Sequence, residues 1–356
     1  MKKALVAMSG GVDSAVASLL LKQSGYDITG ITMRLWSENE NIPDSDITPP
    51  DDNAIEAKKT ADLLGFPHIT TALGESFRRL VIDTFIDDYK NGRTPNPCVE
   101  CNRTLKFGAL FDIADKMSIP YLATGHYAKI LCEANGEFSL RRAEDTQKDQ
   151  SYFLWSIKRE RLPFILFPLG DYTKTEIRSI ATDNGFNNAS RSDSQDICFI
   201  PDGDYVSFIK KNSPCDRGFD KGRFIDTEGK TIGEHNGIIN YTIGQRKGLG
   251  IALGRPIFVG EKNIDDNTVT LCSDRELYKN TLTASRVNML VGEDLETPAR
   301  LLAKIRYRHE PALATVIRIG EDKLSVVFDE PQRAIATGQS LVLYDGDRVI
   351  GGGIID

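Results

Sequence analysis

The first 200 residues alternate short apolar runs with stretches that have helical periodicity. Three apolar runs, KALVAM, DITGITMRLW and HITTAL, begin at residues 3, 27 and 68, and each is followed by an amphipathic stretch that ends in glycine. A fourth run, PYLATGH, covers residues 120–126. Strands joined by helical crossovers are parallel, and the helices then cover both faces of the sheet. The pattern therefore predicts an α/β fold with a doubly wound parallel sheet.

Short strand-like runs separated by turns replace this alternation near residue 203. Turns such as DTEGK at 226–230 and YDGDR at 344–348 are typical of β-rich barrels or sandwiches. We expect an α/β catalytic domain over residues 1–202, a small central β-rich domain over 203–275, and a barrel-like C-terminal β domain over 276–356.

Two stretches carry the signals of helix boundaries. Thr173 and Glu176 have the spacing of a capping box, and Gly185 follows the end of the helix that they begin. Asn96 and Pro97 are a favourable N-cap and first helical residue, and the apolar spacing after them is helical. A helix is therefore predicted to begin at each of these two places.

Composition and charge narrow the class of protein. Of the 356 residues 40% are apolar and 27% are charged, which is ordinary for a globular chain. Only five apolar residues precede the first polar glycine turn, too few for a signal peptide or a membrane span, so we expect a cytoplasmic protein without membrane association. Its formal charge is 44 − 51 = −7, so any polyanion must be bound by local basic patches.

A loop at residues 9–14, SGGVDS, joins the first apolar run directly to a helical stretch. Backbone N–H groups and hydroxyls gathered at a helix N-terminus favour an anion, which indicates a phosphate site. The loop lacks the Gly-Lys-Ser/Thr ending of a Walker loop, so a kinase or GTPase is disfavoured.

The segment TPNPCVECNRTLKFG places Cys98 and Cys101 one turn apart at the second predicted helix start. This spacing fits half a zinc knuckle, a redox dithiol, part of an iron-sulfur site, or a nucleophile with a neighbour. Helix N-termini and nearby cations favour thiolate over thiol, and Arg93 and Arg103 are close in sequence, so we expect a reactive sulfur here.

A zinc knuckle would need a second close pair of ligands, and the sequence has none. The four histidines have no paired spacing, and the isolated cysteines are predicted to be buried or incidental: Cys132, Cys215 and Cys272. We expect no resident zinc site.

Six motifs in order resemble the tRNA-specific 2-thiouridylases over essentially the whole chain. They are SGGVDS, GRTPNPCVECNRTLKFG, ATGHYA, KDQSYFLW, RSDSQDICFIPDGDY and YTIGQRKGLGI. The loop is similar to the pyrophosphate loop of the N-type ATP pyrophosphatases. The resemblance implies that ATP, with Mg²⁺, adenylates the C2 oxygen of the wobble uridine of tRNA with loss of pyrophosphate. A cysteine persulfide then delivers sulfur and AMP is released.

The resemblance also implies roles for particular residues. Cys101 corresponds to the nucleophile and Cys198 to the persulfide carrier, and the two can form a disulfide once sulfur has left. The residues implied to hold ATP are Ala7, Met8, Ser9, Gly10, Gly11, Val12, Asp13, Ser14, Met33 and Gly125. Those implied to border the target base are Asn96, Pro97 and Cys98, and those implied to contact tRNA elsewhere are His126, Lys148, Asp149, Gln150, Arg306, Tyr307 and Gln339.

Basic residues in the β-rich part add an argument for RNA. In LAKIRYRHE, Lys304, Arg306 and Arg308 alternate with apolar residues, so a strand would present three cations on one face. GQRKGLG places Arg246 and Lys247 in a glycine-rich loop. Such groups can neutralise backbone phosphates on an acidic protein, although a merely solvated face has the same pattern.

Position 98 departs from the familiar form of the family, which has aspartate there. A thiol can accept a proton only as thiolate, so the acid/base role of this position is open. The change also gives three thiols, Cys98, Cys101 and Cys198, enough for an iron-sulfur cluster with one open iron. The partners implied are a tRNA with a wobble uridine, of the Lys, Glu or Gln type, and a sulfur-relay protein or cysteine desulfurase as persulfide donor.

Two other classes of protein stay open. Another adenylating synthase, forming an amide or argininosuccinate, would use the same loop without reactive cysteines. A non-catalytic RNA-binding protein with a structural metal would not need the loop.

Overall fold

The computed structural model describes residues 1–37, 42–45, 48–186, 197–213, 217–251, 254–292 and 295–356. Cys215 and the first six residues of the RSDSQDICFIPDGDY motif lie outside the described residues. Among the described helices, none has the length and apolar composition that a membrane crossing needs.

The first part of the chain forms a parallel sheet in the order β3-β2-β1-β4-β7. The strands of this part, including a separate hairpin of β5 and β6, are β1 (Lys3–Ala7), β2 (Asp27–Arg34), β3 (His68–Ala72), β4 (Tyr121–Thr124), β5 (Lys129–Cys132), β6 (Phe138–Arg141) and β7 (Ile165–Leu166). The predicted α/β class with a parallel sheet is confirmed.

Helices cover both faces of this sheet. The described α-helices are α1 (Val12–Gln23), α2 (Asp52–Leu64), α3 (Gly74–Phe77), α4 (Asp83–Lys90), α5 (Pro97–Cys101), α6 (Leu110–Lys116), α7 (Lys174–Asp183) and α8 (Tyr205–Asn212). Segments Arg78–Ile82 and Asn102–Ala109 are π-helical, and four short 3₁₀ turns are Ser151–Phe153, Arg159–Phe164, Ile238–Asn240 and Asp274–Leu277. The capping box of α7 is formed as predicted, with Thr173 as its N-cap.

Side-chain alternation along β1 explains the two helical layers. Ala4 and Val6 pack against α1 and α2 on one face, whereas Leu5 points to the other face. There it meets the α5–α6 region through Val99 and Leu110. Ala4, Leu5 and Val6 are buried because both faces of the sheet are covered, as the continuous apolar runs predict.

The rest of the chain is β-rich, as predicted. A central four-stranded sheet, in the order β10-β11-β8-β9, contains β8 (Gly222–Ile225), β9 (Thr231–His235), β10 (Phe258–Asn263) and β11 (Thr268–Cys272). The strands that follow are β12 (Tyr278–Met289), β13 (Ala299–Lys304), β14 (Ala312–Arg318), β15 (Lys323–Arg333), β16 (Ser340–Asp345) and β17 (Arg348–Ile355). Pairing of β12 with β17 closes these six into a barrel.

The barrel is joined to the α/β part by backbone pairing and by buried hydrogen bonds. Hairpin β5–β6 extends the barrel sheet through the pair Arg348 and Arg141. The hydroxyl of Tyr152, fully buried, donates to the Ser340 carbonyl at 2.8 Å. Asn288 Nδ2 donates to the carbonyls of two residues of the α/β part, at 2.7 and 2.8 Å. These contacts join the parts of the chain on either side of the predicted domain limits. The limits at 202 and 275 therefore stay predictions.

Replacing Asn288 with alanine should destabilise the protein by about 1–3 kcal/mol, because the carbonyls of Trp155 and Ile157 lose their donors. The free energy of unfolding in urea measures the change. The matched control is Asn91→Ala, which removes an exposed bond within one helix and should change that free energy by less than about 0.5 kcal/mol. Equal effects of the two substitutions would mean that Asn288 does not join the two parts.

Candidate active site

The predicted phosphate loop lies between the carboxyl end of β1 and the start of α1. Gly10 has φ +74°, and a Cβ there would lie 2.6 Å from the Asn53 carbonyl oxygen. A larger residue would therefore be strained in backbone conformation and would collide with the start of α2. The glycine lets the chain turn sharply and reach the helix N-terminus.

The Ser14 hydroxyl holds the loop in shape through two hydrogen bonds. The Ser9 N–H donates to Ser14 Oγ at 3.2 Å, and Ser14 Oγ donates to the Gly11 carbonyl at 2.9 Å. Gly11 is the N-cap of α1, and within the described residues no side chain caps this helix. The first amide N–H groups of α1 are therefore directed to the space where an anion is favoured.

Gly125, the residue after β4, lies against the backbone of this loop. A Cβ on Gly125 would lie 2.9 Å from the carbonyl carbon of Asp13 and 3.0 Å from the Ser14 nitrogen. Only glycine fits such a close approach of two backbones. The structure thus brings Gly125 to the loop, as the sequence predicted, and places Met33 at the carboxyl end of β2.

Lys174 is a residue of this site that the sequence analysis missed. Its ammonium lies 2.7 and 2.8 Å from the two carboxylate oxygens of Asp13, and the Tyr127 hydroxyl donates to the same carboxylate at 2.8 Å. Lys174 is the first residue of α7 and only 8% exposed. A buried cation is thus held at the edge of the phosphate loop.

The predicted helix start at Asn96 and Pro97 is confirmed, although Asn96 makes no side-chain cap bond within the described residues. Cys101, at the end of α5, is buried, whereas Cys98 is exposed. Cys198 is also exposed. The residue after it, Phe199, packs in the same apolar cluster as Cys101, which places Cys198 beside Cys98 and Cys101. The three sulfurs are close enough for their charges to interact.

The expectation of a resting thiolate is wrong. Burial is the main cause that raises the pKa of Cys101 to about 12, and the neighbouring sulfurs of Cys198 and Cys98 act in the same direction. Desolvation also raises the pKa of Cys98 and of Cys198, although both side chains are exposed. The cations expected to oppose this effect are bound elsewhere, Arg93 to Asp88 and Arg103 to Glu100.

Lys106 is the cation that faces the three sulfurs, since its charge lowers the pKa of each of them. On an α-helix, residues five apart point about 140° away from each other. Asn102–Ala109 is π-helical, so its hydrogen bonds join residues five apart and its turns are wider than those of an α-helix. The wider turn reduces this angle, in agreement with the effect of the Lys106 charge on Cys101.

His126 holds Lys106 in place. The Lys106 ammonium lies 3.4 Å from His126 Nε2, and Nδ1 lies 2.7 Å from Thr124 Oγ1. A lysine ammonium only donates, so Nε2 is the acceptor and the ring proton is on Nδ1, donating to Thr124. Burial, aided by the charge of Lys106, holds the pKa of His126 well below its usual range, so the ring is neutral.

The three cysteines do not fit a metal centre as they are arranged. Within the described residues, no group of three or more Cys, His, Asp or Glu side chains is placed to hold a metal ion. Of the isolated cysteines, Cys272 is buried as predicted, whereas Cys132 is exposed on β5.

Several residues predicted to contact tRNA have bonds within the protein. The buried Asp149 accepts bonds from Ala143 N–H and from Ser151, and Gln150 Oε1 accepts from Tyr127 N–H at 3.0 Å. These bonds fix the chain next to His126, whose own side chain is buried. Lys148 is part of the same turn, through its backbone N–H bond to Asp145.

The predicted stripe of three cations on one strand is wrong. Strand β13 ends at Lys304, and Arg306 lies in the following turn, where its guanidinium donates to the Ala334 carbonyl. The Tyr307 ring packs against Phe153, with ring centroids 4.4 Å apart. Only Arg308 of the three cations is exposed.

The fold and the site define a class of protein: a parallel α/β domain with an anion-binding loop beside cysteine thiols, which suits thiol-dependent group transfer. Family models match most of the chain. Residues 2–202 match the tRNA methyl transferase HUP domain, 207–273 the tRNA methyl transferase PRC-barrel domain, and 279–355 the aminomethyltransferase beta-barrel domain.

Two relatives are similar over their full length. The tRNA-specific 2-thiouridylase MnmA of Clostridioides difficile is 45% identical, with 100% of this chain and 98% of the relative covered. The protein of the same name from Treponema denticola is 47% identical, with 99% and 98% covered. The chain belongs to the family of tRNA-specific 2-thiouridylases, which are tRNA sulfurtransferases.

Replacing Lys106 with methionine should slow alkylation of the three cysteines by iodoacetamide several-fold, because their thiolates lose the facing cation. In the unchanged protein, the rate at Cys101 should still be rising at about pH 10, since its pKa lies higher. Peptide mass spectrometry at a series of pH values gives the rate at each sulfur. Lys59→Met, on the exposed face of α2, is the control, and equal rates in both variants would contradict the role of Lys106.

Proposed function

We propose that this protein thiolates the wobble uridine of tRNA at C2, with ATP and Mg²⁺ activating the C2 oxygen as an adenylate. Pyrophosphate leaves first and AMP leaves when sulfur arrives. Family membership supports the tRNA substrate and the position on uridine. The cytoplasm is the proposed location, and a sulfur-relay protein or cysteine desulfurase is the proposed sulfur donor.

One observation carries the proposal: a three-residue segment, Thr124–His126, touches both halves of the site. Gly125 packs against the phosphate loop, and His126 contacts Lys106, which faces the cysteines. A base activated at the loop would therefore be within the same site as the sulfurs. Lys174 and the amides of α1 would bind the phosphates, and Mg²⁺ would offset their charge.

The sulfur step uses Cys198 and Cys101. The terminal sulfur of a persulfide on Cys198 attacks C2; a C–S bond forms, and the C2–O bond breaks as AMP leaves with its electron pair. Thiolate from Cys101 then attacks Sγ of Cys198. The S–S bond breaks, its pair stays on the sulfur at C2, and a disulfide joins the two cysteines. A thiol reductant supplies the two electrons that restore both thiols.

Exposure of the sulfurs supports this division of roles. Cys198 is exposed, as a sulfur that must be loaded by another protein needs to be, whereas Cys101 is buried beside it. Because the pKa of Cys101 is raised to about 12, its proton must be removed during the reaction, and Lys106 would stabilise the thiolate that forms. We assign Cys98 an accessory role, beside Asn96 and Pro97 at the border of the target base.

A second candidate is thiolation of the same tRNA through an iron-sulfur cluster. The gathering of Cys98, Cys101 and Cys198 favours it, because a cluster needs several thiolates in one place. Their arrangement, which within the described part of the chain does not form a metal-holding group, is against it. The two routes differ in their dependence on Cys98.

Groups for binding tRNA are available on the surface of the β-rich part. Arg246, Lys247 and Arg308 are exposed and lie outside strands. We propose that these cations contact backbone phosphates. Arg306, Tyr307 and Gln339 would then shape the surface around them, and direct contact of these three with tRNA stays a prediction.

With unthiolated tRNA, the protein should convert ATP to AMP and pyrophosphate. Replacing Lys174 with methionine should lower the rate of pyrophosphate release by roughly 100-fold, because the phosphates lose a buried cation. Lys22→Met, on the exposed end of α1, is the control and should retain the rate. Formation of ADP in place of AMP would exclude the pyrophosphatase chemistry.

Replacing Cys101 or Cys198 with serine should each abolish thiolation, because each sulfur forms a covalent bond in the proposed route. Replacing Cys98 with serine should only reduce it. Nucleoside mass spectrometry of the treated tRNA measures the product, and Cys132→Ser is the control. Equal loss at Cys98, Cys101 and Cys198, with activity that follows bound iron and sulfide in anaerobic protein, would replace the persulfide route with the iron-sulfur route.

A further inference from the structure

The segment that carries the catalytic sulfur is held by the C-terminal barrel at two points. At the first, Thr94 N–H donates to the Thr337 carbonyl at 2.8 Å, and Gln339 Nε2 donates to the Thr94 carbonyl at 2.7 Å. A Cβ on Gly338 would lie 2.9 Å from the Thr94 nitrogen, so the two backbones are in close contact. The barrel thus fixes the chain immediately before Asn96.

Glu100, the residue before Cys101, is the second point. Its side chain is only 12% exposed, and its two carboxylate oxygens are divided between two parts of the protein. Oε2 accepts from Arg103, at 2.6 Å from its terminal nitrogen, within the same helical segment. Oε1 accepts from Arg286 of the barrel strand β12. The carboxylate therefore ties the end of α5 to the barrel.

The backbone of β12 is shaped to present Arg286. This residue has φ +54°, which is uncommon for a residue other than glycine. It lies in a β-bulge between Ser285 and Asn288. The bulge is held by Asp322, whose carboxylate accepts from Arg286 N–H at 3.1 Å and from Val287 N–H. Bulges re-aim side chains, and a strained conformation persists only where the surroundings hold it.

We propose that Arg286 is a positioning residue for sulfur transfer: through Glu100 it sets the place of Cys101 relative to the activated uridine. The inference rests on the proposed function in taking Cys101 as a reacting sulfur. It assigns the barrel a part in the chemistry, since Arg286 of strand β12 acts on the cysteine through Glu100. Adenylation at the phosphate loop does not depend on this contact.

The test compares Arg286→Met with Arg286→Lys in the full-length protein, at saturating tRNA and ATP. In the methionine variant, kcat for thiolation should fall roughly tenfold or more, because small displacements of a reacting group are costly, with KM for tRNA unchanged. Pyrophosphate release should continue, so more pyrophosphate is released per 2-thiouridine formed. Lysine should restore part of the thiolation rate, because it keeps a cation beside Glu100.

The matched control is Arg300→Met, which removes the exposed Arg300–Asp329 pair from the same barrel and should change neither rate. Glu100→Gln combined with Arg286→Met should be no slower than the slower single variant, because the contact between these two residues is already lost in each of them. A parallel fall of thiolation and pyrophosphate release, or a change in KM alone, would overturn the proposal. If the unchanged protein releases pyrophosphate but makes no 2-thiouridine, the proposed function fails instead.

Discussion

The close approach of Gly125 to the backbone of Asp13 and Ser14 is the constraint on which the site depends. No side chain fits between β4 and the start of α1, so the two elements are held in direct contact. The next residue, His126, is thereby placed beside the phosphate loop, and its neutral ring accepts from Lys106. One backbone contact therefore sets the distance between the predicted phosphate loop and a set of thiols.

Much of the fold was predictable because its signals are local. The apolar runs of the sequence predict four of the five strands of the parallel sheet, all except the two-residue β7. The spacing of Thr173 and Glu176 predicts the start of α7, since a capping box involves residues three apart. The predicted stripe of cations was wrong because the backbone there depends on contacts between distant residues. Alternating charge suggested a strand, but the pairing of β13 with β16 ends at Lys304. After that point the chain turns, and Tyr307 packs against the distant residue Phe153.

The parts of the site that were missed depend on contacts between distant residues. Lys174 and Asp13 are 161 positions apart, and no spacing rule connects them. Lys106 was missed because an α-helix would turn it away from Cys101, and no spacing rule indicates the π-helical segment Asn102–Ala109. The raised pKa of Cys101 likewise follows from tertiary burial, which outweighs the helix-start effect that sequence suggests.

The central claim is that this site transfers sulfur to C2 of a tRNA uridine that ATP has activated. The most direct measurement is nucleoside mass spectrometry of unmodified tRNA incubated with the purified protein, ATP, Mg²⁺ and a persulfide donor labelled with heavy sulfur. The account predicts labelled 2-thiouridine at the wobble position, formed only when ATP is present. Labelled sulfur at C4, at another position of the tRNA, or incorporated equally without ATP would contradict it.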